Sequence, residues 1–150
     1  MSQFFQFEAD FVDSLRCIPM QVRYKLDTSG IKLKLHHWSK FFEEDRQRLV
    51  RLPCQTTTEI QRYHDYLQEL VQARAGEVAK ELPVDDSPAW EKSSVIPTSV
   101  SEKAAETGVS LELEHWERLT EIQRFALIKL SRSSHENRNF LPALKEFELV

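Results

Sequence analysis

The sequence predicts an all-α fold, a single compact helical domain built from two pseudo-repeats of a helix-turn-helix-helix unit, with a minor two-stranded pairing as an option. Three observations carry this expectation. Three glycines in 150 residues are too few for a turn-rich all-β fold. Capping signatures stand before apolar residues at helical spacing, most plainly Thr56 with Glu59 and Thr120 with Gln123. Finally, residues 18–52 recur without a gap as residues 96–130, an offset of 78. Identities across this window include Pro19/Pro97, Lys25/Lys103, Gly30/Gly108, His37/His115, Trp38/Trp116 and Arg46/Arg124. They fill 13 of 35 aligned positions, where average residue usage would give roughly two.

Each element follows from local chemistry. An N-terminal Phe-rich segment, residues 1–17, places Phe4, Phe5, Phe7 and Phe11 within eight positions. It either docks onto the bundle or forms an exposed partner-binding strip. Repeat one, residues 18–82, starts a helix at Pro19, where a missing N–H costs nothing, and stops it at Gly30. The alternation Ile31, Leu33, Leu35 then gives an extended entry to a short helix around Trp38. A pairing of this segment with its counterpart Val109, Leu111, Leu113 is the two-stranded alternative. A helix from about Glu43 to Leu52 ends at Pro53. Beyond it Ile60, Tyr63, Leu67, Leu70, Val71 and Val78 trace one face of a long amphipathic helix from Thr56 to near Leu82. Residues 83–95, with prolines, serines and an acidic pair, are expected as a surface linker. Repeat two, residues 96–150, repeats the pattern and adds a last helix starting or kinking at Pro142.

Composition narrows the function classes. Net charge is −4, which disfavours generic nucleic-acid binding. Acidic residues interrupt the N-terminus at Glu8 and Asp10, and no uncharged run approaches a bilayer span, so a cytoplasmic protein without membrane partners is expected. Cys17 and Cys54 are most simply free thiols. The sequence has no Gly-rich phosphate loop, no G-x-S-x-G, no H-E-x-x-H and no Cys-x-x-Cys. No catalytic residues, metal or cofactor are therefore expected.

The two copies act as controls on one another. His37 and His115 precede a tryptophan in both and are expected to be structural, each with a ring nitrogen bonded to a backbone carbonyl. Cys17, Cys54, His36 and His64 could in principle hold a metal, although they lack a finger-like spacing. Cys17 beside Arg16 is a possible reactive thiol. From Ile18 to Cys54 eight Lys or Arg face four Asp or Glu, against five and six from Ile96 to Arg132. Repeat one is thus basic, and its own charges are replaced in repeat two, as Arg23 is by Ser101 and Lys34 by Glu112. Phe7, Phe11, Arg16, Arg23, Tyr24, Asp27, Lys32 and Lys34 are the candidate partner-binding set, and Cys17 with Cys54 the candidate thiol site. A merely solvated face is the alternative.

The run from Phe5 through Leu15-Arg16-Cys17-Ile18-Pro19-Met20, continuing with Val22-Arg23-Tyr24-Lys25-Leu26-Asp27, Gly30-Ile31-Lys32-Leu33, Trp38 and Leu52-Pro53-Cys54, resembles the nitrate reductase-associated protein family. The resemblance covers the whole chain. It implies a small cytosolic accessory protein without catalytic activity, needed for active assimilatory nitrate reductase, with the enzyme or its cofactor-insertion machinery as partner. Ser29 stands where similar proteins would be expected to carry a third cysteine, which argues against a three-thiol cluster. Ile-Pro-x-x-Val followed by Gly also resembles, more faintly, a helical module at the C-terminus of light-independent protochlorophyllide reductase subunits. A small cysteine-based redox or metal-binding protein is the competing functional reading.

Overall fold

Pro19 is the N-cap of the first helix, α1 (Met20–Ser29), and Gly30 closes it at φ 77°, its N–H bonded to the Leu26 carbonyl at 2.9 Å. This is the first element of a computed structural model that describes residues 4–9, 17–132 and 137–150. Two compact units divide the chain, Met1–Val84 and Asp85–Val150. Among the described residues the structure is helical apart from a single antiparallel pairing of two short strands, as the composition predicts.

In the first unit α1 is followed by β1 (Ile31–Lys32), α2 (Leu35–Lys40), α3 (Glu43–Arg51), α4 (Thr57–Ala75) and β2 (Lys80–Glu81). The capping box expected at Thr56 is present: the Glu59 N–H donates to Thr56 Oγ1 at 3.1 Å, and the Thr56 N–H donates to Glu59 Oε1 at 3.0 Å. Along α4 the buried side chains are Tyr63, Leu67, Leu70 and Val71, the face that the periodicity marks. They meet Val22, Leu26, Trp38, Phe41, Leu49 and Cys54 in one core, with Phe4 packed against it. Phe4 therefore follows the docking expectation for the N-terminal segment. Phe11 and Arg16 lie outside the described residues.

Two expectations need correction. The long helix does not reach Leu82; Gly76 adopts φ 71° and its N–H caps the Gln72 carbonyl at 3.1 Å, which ends the helix at Ala75. Val78, placed on the apolar face by its spacing, is instead 65% exposed. After Gly76 the chain runs back as an extended strap. The Gln68 side chain holds it, accepting from the Ala79 N–H at 3.0 Å and donating to the Ala79 carbonyl at 2.9 Å. The strap also supplies the strand partner: β1 pairs with β2, Ile31 opposite Glu81 and Lys32 opposite Lys80, and not with residues 109–113. Its next bond runs from the Leu82 N–H to the Gly30 carbonyl at 2.7 Å.

The second unit contains α5 (Thr98–Glu106), α6 (Leu113–Arg118), α7 (Glu121–Arg132) and α8 (Phe140–Glu146). Helices α5, α6 and α7 begin 78 residues after α1, α2 and α3. Helix α7 buries Arg124, Phe125, Ala126, Leu127, Ile128 and Leu130, so it is enclosed on most sides. Part of that cover comes from segment 83–95. Trp90 packs edge-on against Phe125 with ring centres 5.0 Å apart, and its carbonyl accepts from Arg124 at 3.0 Å. The Lys92 carbonyl accepts from Trp116 Nε1 at 2.9 Å. Pro142 sits within the first turn of α8, where no N–H is required of it.

Candidate functional site

The His-Trp pair opens α2 and α6 in the same way. In the first unit the Lys34 N–H donates to His37 Nδ1 at 3.2 Å; in the second the Glu112 N–H donates to His115 Nδ1 at 3.1 Å. Each histidine thus satisfies one of the open donors at a helix start. The structural role follows the expectation, but the bond has the opposite polarity, because the ring nitrogen accepts from an N–H and does not donate to a carbonyl. Trp38 and Trp116 are both fully buried beside these caps.

That polarity decides the chemistry of the neighbouring cluster. With Nδ1 acting as acceptor, the proton of a neutral His37 sits on Nε2. Nε2 faces Glu77 Oε1 at 2.5 Å, and His36 Nε2 lies 3.0 Å from the same oxygen. Hydrogen bonds from His36 and then His37 hold the Glu77 carboxyl down at about 2. The ligand-type atoms of His36, His37 and Glu77 lie within 4.8 Å of one another, the one such group of three among the described residues. A metal on His37 would take the Nε2 lone pair and push the proton to Nδ1, directly against the Lys34 N–H. Binding an ion there therefore breaks the α2 cap, and the arrangement suits a carboxylate held by two N–H donors. Cys17, Cys54 and His64 are not part of this group.

His64 forms a second carboxylate bridge. Nδ1 lies 3.0 Å from Asp65 Oδ1 and Nε2 lies 2.8 Å from Glu81 Oε1, so both ring nitrogens face acids. The Asp65 hydrogen bond, with the Glu81 bond and their charges, outweighs partial burial and raises the His64 pKa. Glu77 and Glu81 lie either side of the strap residue Lys80, and histidines hold both.

The end of α3 carries the buried chemistry of the first unit. Lys25 is 7% exposed, and its Nζ donates to the Val50 carbonyl at 2.7 Å and the Leu52 carbonyl at 2.6 Å. The Tyr63 hydroxyl donates to the Leu49 carbonyl at 2.9 Å. Three open carbonyls at a helix C-terminus are thereby satisfied, and the ammonium charge complements the helix dipole. Burial lowers the Lys25 pKa, partly offset by the nearby Cys54. Burial also pushes the Cys54 thiol up to about 11, with Lys25 opposing the rise. At neutral pH Cys54 is a protonated, enclosed thiol, poorly suited to attack or redox exchange. Lys103, the repeat-two counterpart of Lys25, pairs with Glu106 at the surface.

The candidate partner residues do not form one face of equal exposure. Phe7 is half-buried and stacks on Phe5 with centres 5.2 Å apart. Arg23 is half-buried, its Nε donating to the Ile18 carbonyl at 3.2 Å. Tyr24, Asp27 and Cys17 are also half-buried, whereas Lys32 and Lys34 are exposed. Sequence reasoning passed over Glu77, Lys80 and the Asp45–Arg74 ion pair at 2.8 Å. A glycine at position 76, inside the apparent helix, was the available signal for the first two.

A model of the conserved nitrate reductase-associated protein family matches residues 4–147. The chain belongs to this family. Its name ties the chain to nitrate reductase as an associated protein, and the matched span covers most of each compact unit. No curated protein and no solved structure is matched by the sequence. Among the described residues of this family member, no helix is long and apolar enough to cross a membrane.

Proposed function

We propose that the chain is a non-catalytic accessory factor that binds nitrate reductase and supports its activity or the loading of its molybdenum cofactor. Membership of the nitrate reductase-associated family over residues 4–147 carries this reading. The fate of the reactive side chains supports it. Lys25, Tyr63 and His37 each satisfy backbone groups at a helix end, and Cys54 is enclosed. These groups are engaged in holding the fold, and what the first unit offers to another molecule is its surface. The cysteine-based alternative is the weaker reading, because a thiol raised to about 11 is a poor nucleophile at neutral pH. A cytoplasmic setting, alongside either the enzyme or its cofactor-insertion machinery, belongs to the same proposal.

The test is a pulldown with the tagged chain from nitrate-grown cells, together with molybdenum content and activity of nitrate reductase from cells lacking the chain. Co-purification of the enzyme and a loss of activity on deletion are expected. Full activity, full molybdenum content and no captured enzyme would refute the accessory role. Replacing Cys17 and Cys54 together with serine should leave that activity intact; its loss would favour the redox reading.

A further inference from the structure

We infer that the outer face of the β1–β2 ribbon, carrying Lys32, Lys34 and Lys80 among exposed apolar side chains, is a docking surface for an acidic, leucine-type apolar segment of a partner protein. This rests on the accessory reading and names the surface and the chemistry it would take. Lys32 and Lys80 stand directly opposite one another in the antiparallel pair, so their side chains share a face. Lys34, two residues along an extended chain at φ −86° and ψ 155°, joins them. Like charges set opposite each other destabilise a ribbon. Even so, none of the three makes an ion pair among the described residues.

Two acids of the strap are bonded elsewhere. Glu77 is held by His36 and His37, and Glu81 by His64. The three ammonium groups are therefore without a carboxylate in ion-pair contact among the described residues and open to an outside anion. Exposed apolar side chains flank Lys80 along the strap: Val78 is 65% and Leu82 41% exposed, while Ala79, between Val78 and Lys80, is 3% exposed. Leu35, 61% exposed, follows Lys34 directly. Cations interleaved with apolar side chains on an open ribbon match a protein segment that offers both carboxylates and aliphatic groups.

The experiment titrates the full chain against purified nitrate reductase and, separately, against a synthetic peptide alternating glutamate and leucine. Lys32→Glu, Lys34→Glu and Lys80→Glu are combined in one variant, and the three Lys→Arg changes in another. The reversed variant should bind the enzyme at least about tenfold more weakly, the arginine variant should stay near the unaltered chain, and peptide affinity should fall as salt rises. If the reversed variant binds the enzyme as tightly as the unaltered chain, the face is wrong and the accessory role stands. If the unaltered chain does not bind the enzyme, the accessory role fails and the peptide decides the face. The same order of affinities supports it; no peptide binding, or no change between variants, overturns it. Stronger binding to phosphatidylserine vesicles, or self-association through these lysines, overturns the choice of occupant.

Discussion

Replacing Gly30 with alanine places a methyl group where the first unit has no room for it. A Cβ at this position would lie 2.8 Å from the Leu82 carbonyl oxygen and 2.8 Å from Val84 Cγ2, on a residue at φ 77°. Gly76 and Gly108 share the left-handed conformation, at φ 71° and 83°, but a Cβ there meets nothing within 4 Å. Left-handed backbone costs an L-residue about 1–2 kcal/mol at each of the three sites. Alanine also restricts the unfolded chain, an offset common to all of them. Only Gly30 carries the additional overpacking, about 1–3 kcal/mol. The Val84 methyl can rotate aside, whereas the Leu82 oxygen is backbone and its N–H is bonded to the Gly30 carbonyl. Gly30→Ala should therefore cost about 1–3 kcal/mol more than Gly108→Ala. Because two units need not unfold together, native-state hydrogen exchange read separately on α1 and α5 is the suitable assay, with amides of residues 79–82 reporting the strap. Equal losses for Gly30→Ala and Gly108→Ala, with strap protection unchanged, would refute the claim that the strap packs onto Gly30.

Three further outcomes are expected. Lys25→Met removes both donors to the Val50 and Leu52 carbonyls and should lower the urea midpoint, a loss of about 1–3 kcal/mol; Lys103→Met, at a surface pair, should stay within about 0.5 kcal/mol, and equal effects would remove the special role of Lys25. Titration of the native chain with a thiol-reactive disulfide should modify Cys54 only on unfolding, since burial holds it near 11; rapid native labelling at Cys54 would contradict its enclosure. The third outcome concerns pH. The folded-state pKa of His64 is raised, so its bridge stabilises fully below the unfolded value of about 6.5 and is lost as pH rises through the folded value. Glu77 behaves oppositely: its bonds stabilise above the usual carboxylate range and fade as pH falls toward about 2. Protection of the strap amides should therefore decline on both sides, and His64→Gln should abolish only the decline on the alkaline side; an unchanged profile in that variant would show that the bridge to Glu81 does not anchor the strap.

How much was legible in the sequence depends on whether a signal was local. Caps at Pro19, Thr56 and Thr120, the stop at Gly30 and the buried face of α4 all depend on residues within a turn of one another, and they stand where the pattern puts them. The strap is not legible in local pattern because its signal is split. Val78 continues the helical spacing, while Gly76, which overrides it, is one residue whose left-handed conformation no periodicity records. Once the helix stops, β1 gains a partner 50 residues away in sequence, and the predicted pairing with residues 109–113 loses its reason. Position-by-position comparison of the copies had a similar limit. It identified His37 and His115 correctly as structural, yet Lys25 and Lys103 are identical in type and opposite in environment, one capping a buried helix end and the other paired at the surface.

Glu77, Lys80 and Glu81 lie outside the repeated window of residues 18–52. His115 caps α6 as His37 caps α2, but among the described residues only His37 also bonds a carboxylate on the strap. Histidine bonding therefore does two jobs in the first unit with one set of rings. Nδ1 of His37 completes a helix cap, and Nε2, with His36 and His64, holds the strap through Glu77 and Glu81. Two acids bonded to three histidines, beside three lysines with no ion pair among the described residues, match the acidic partner segment proposed for this face.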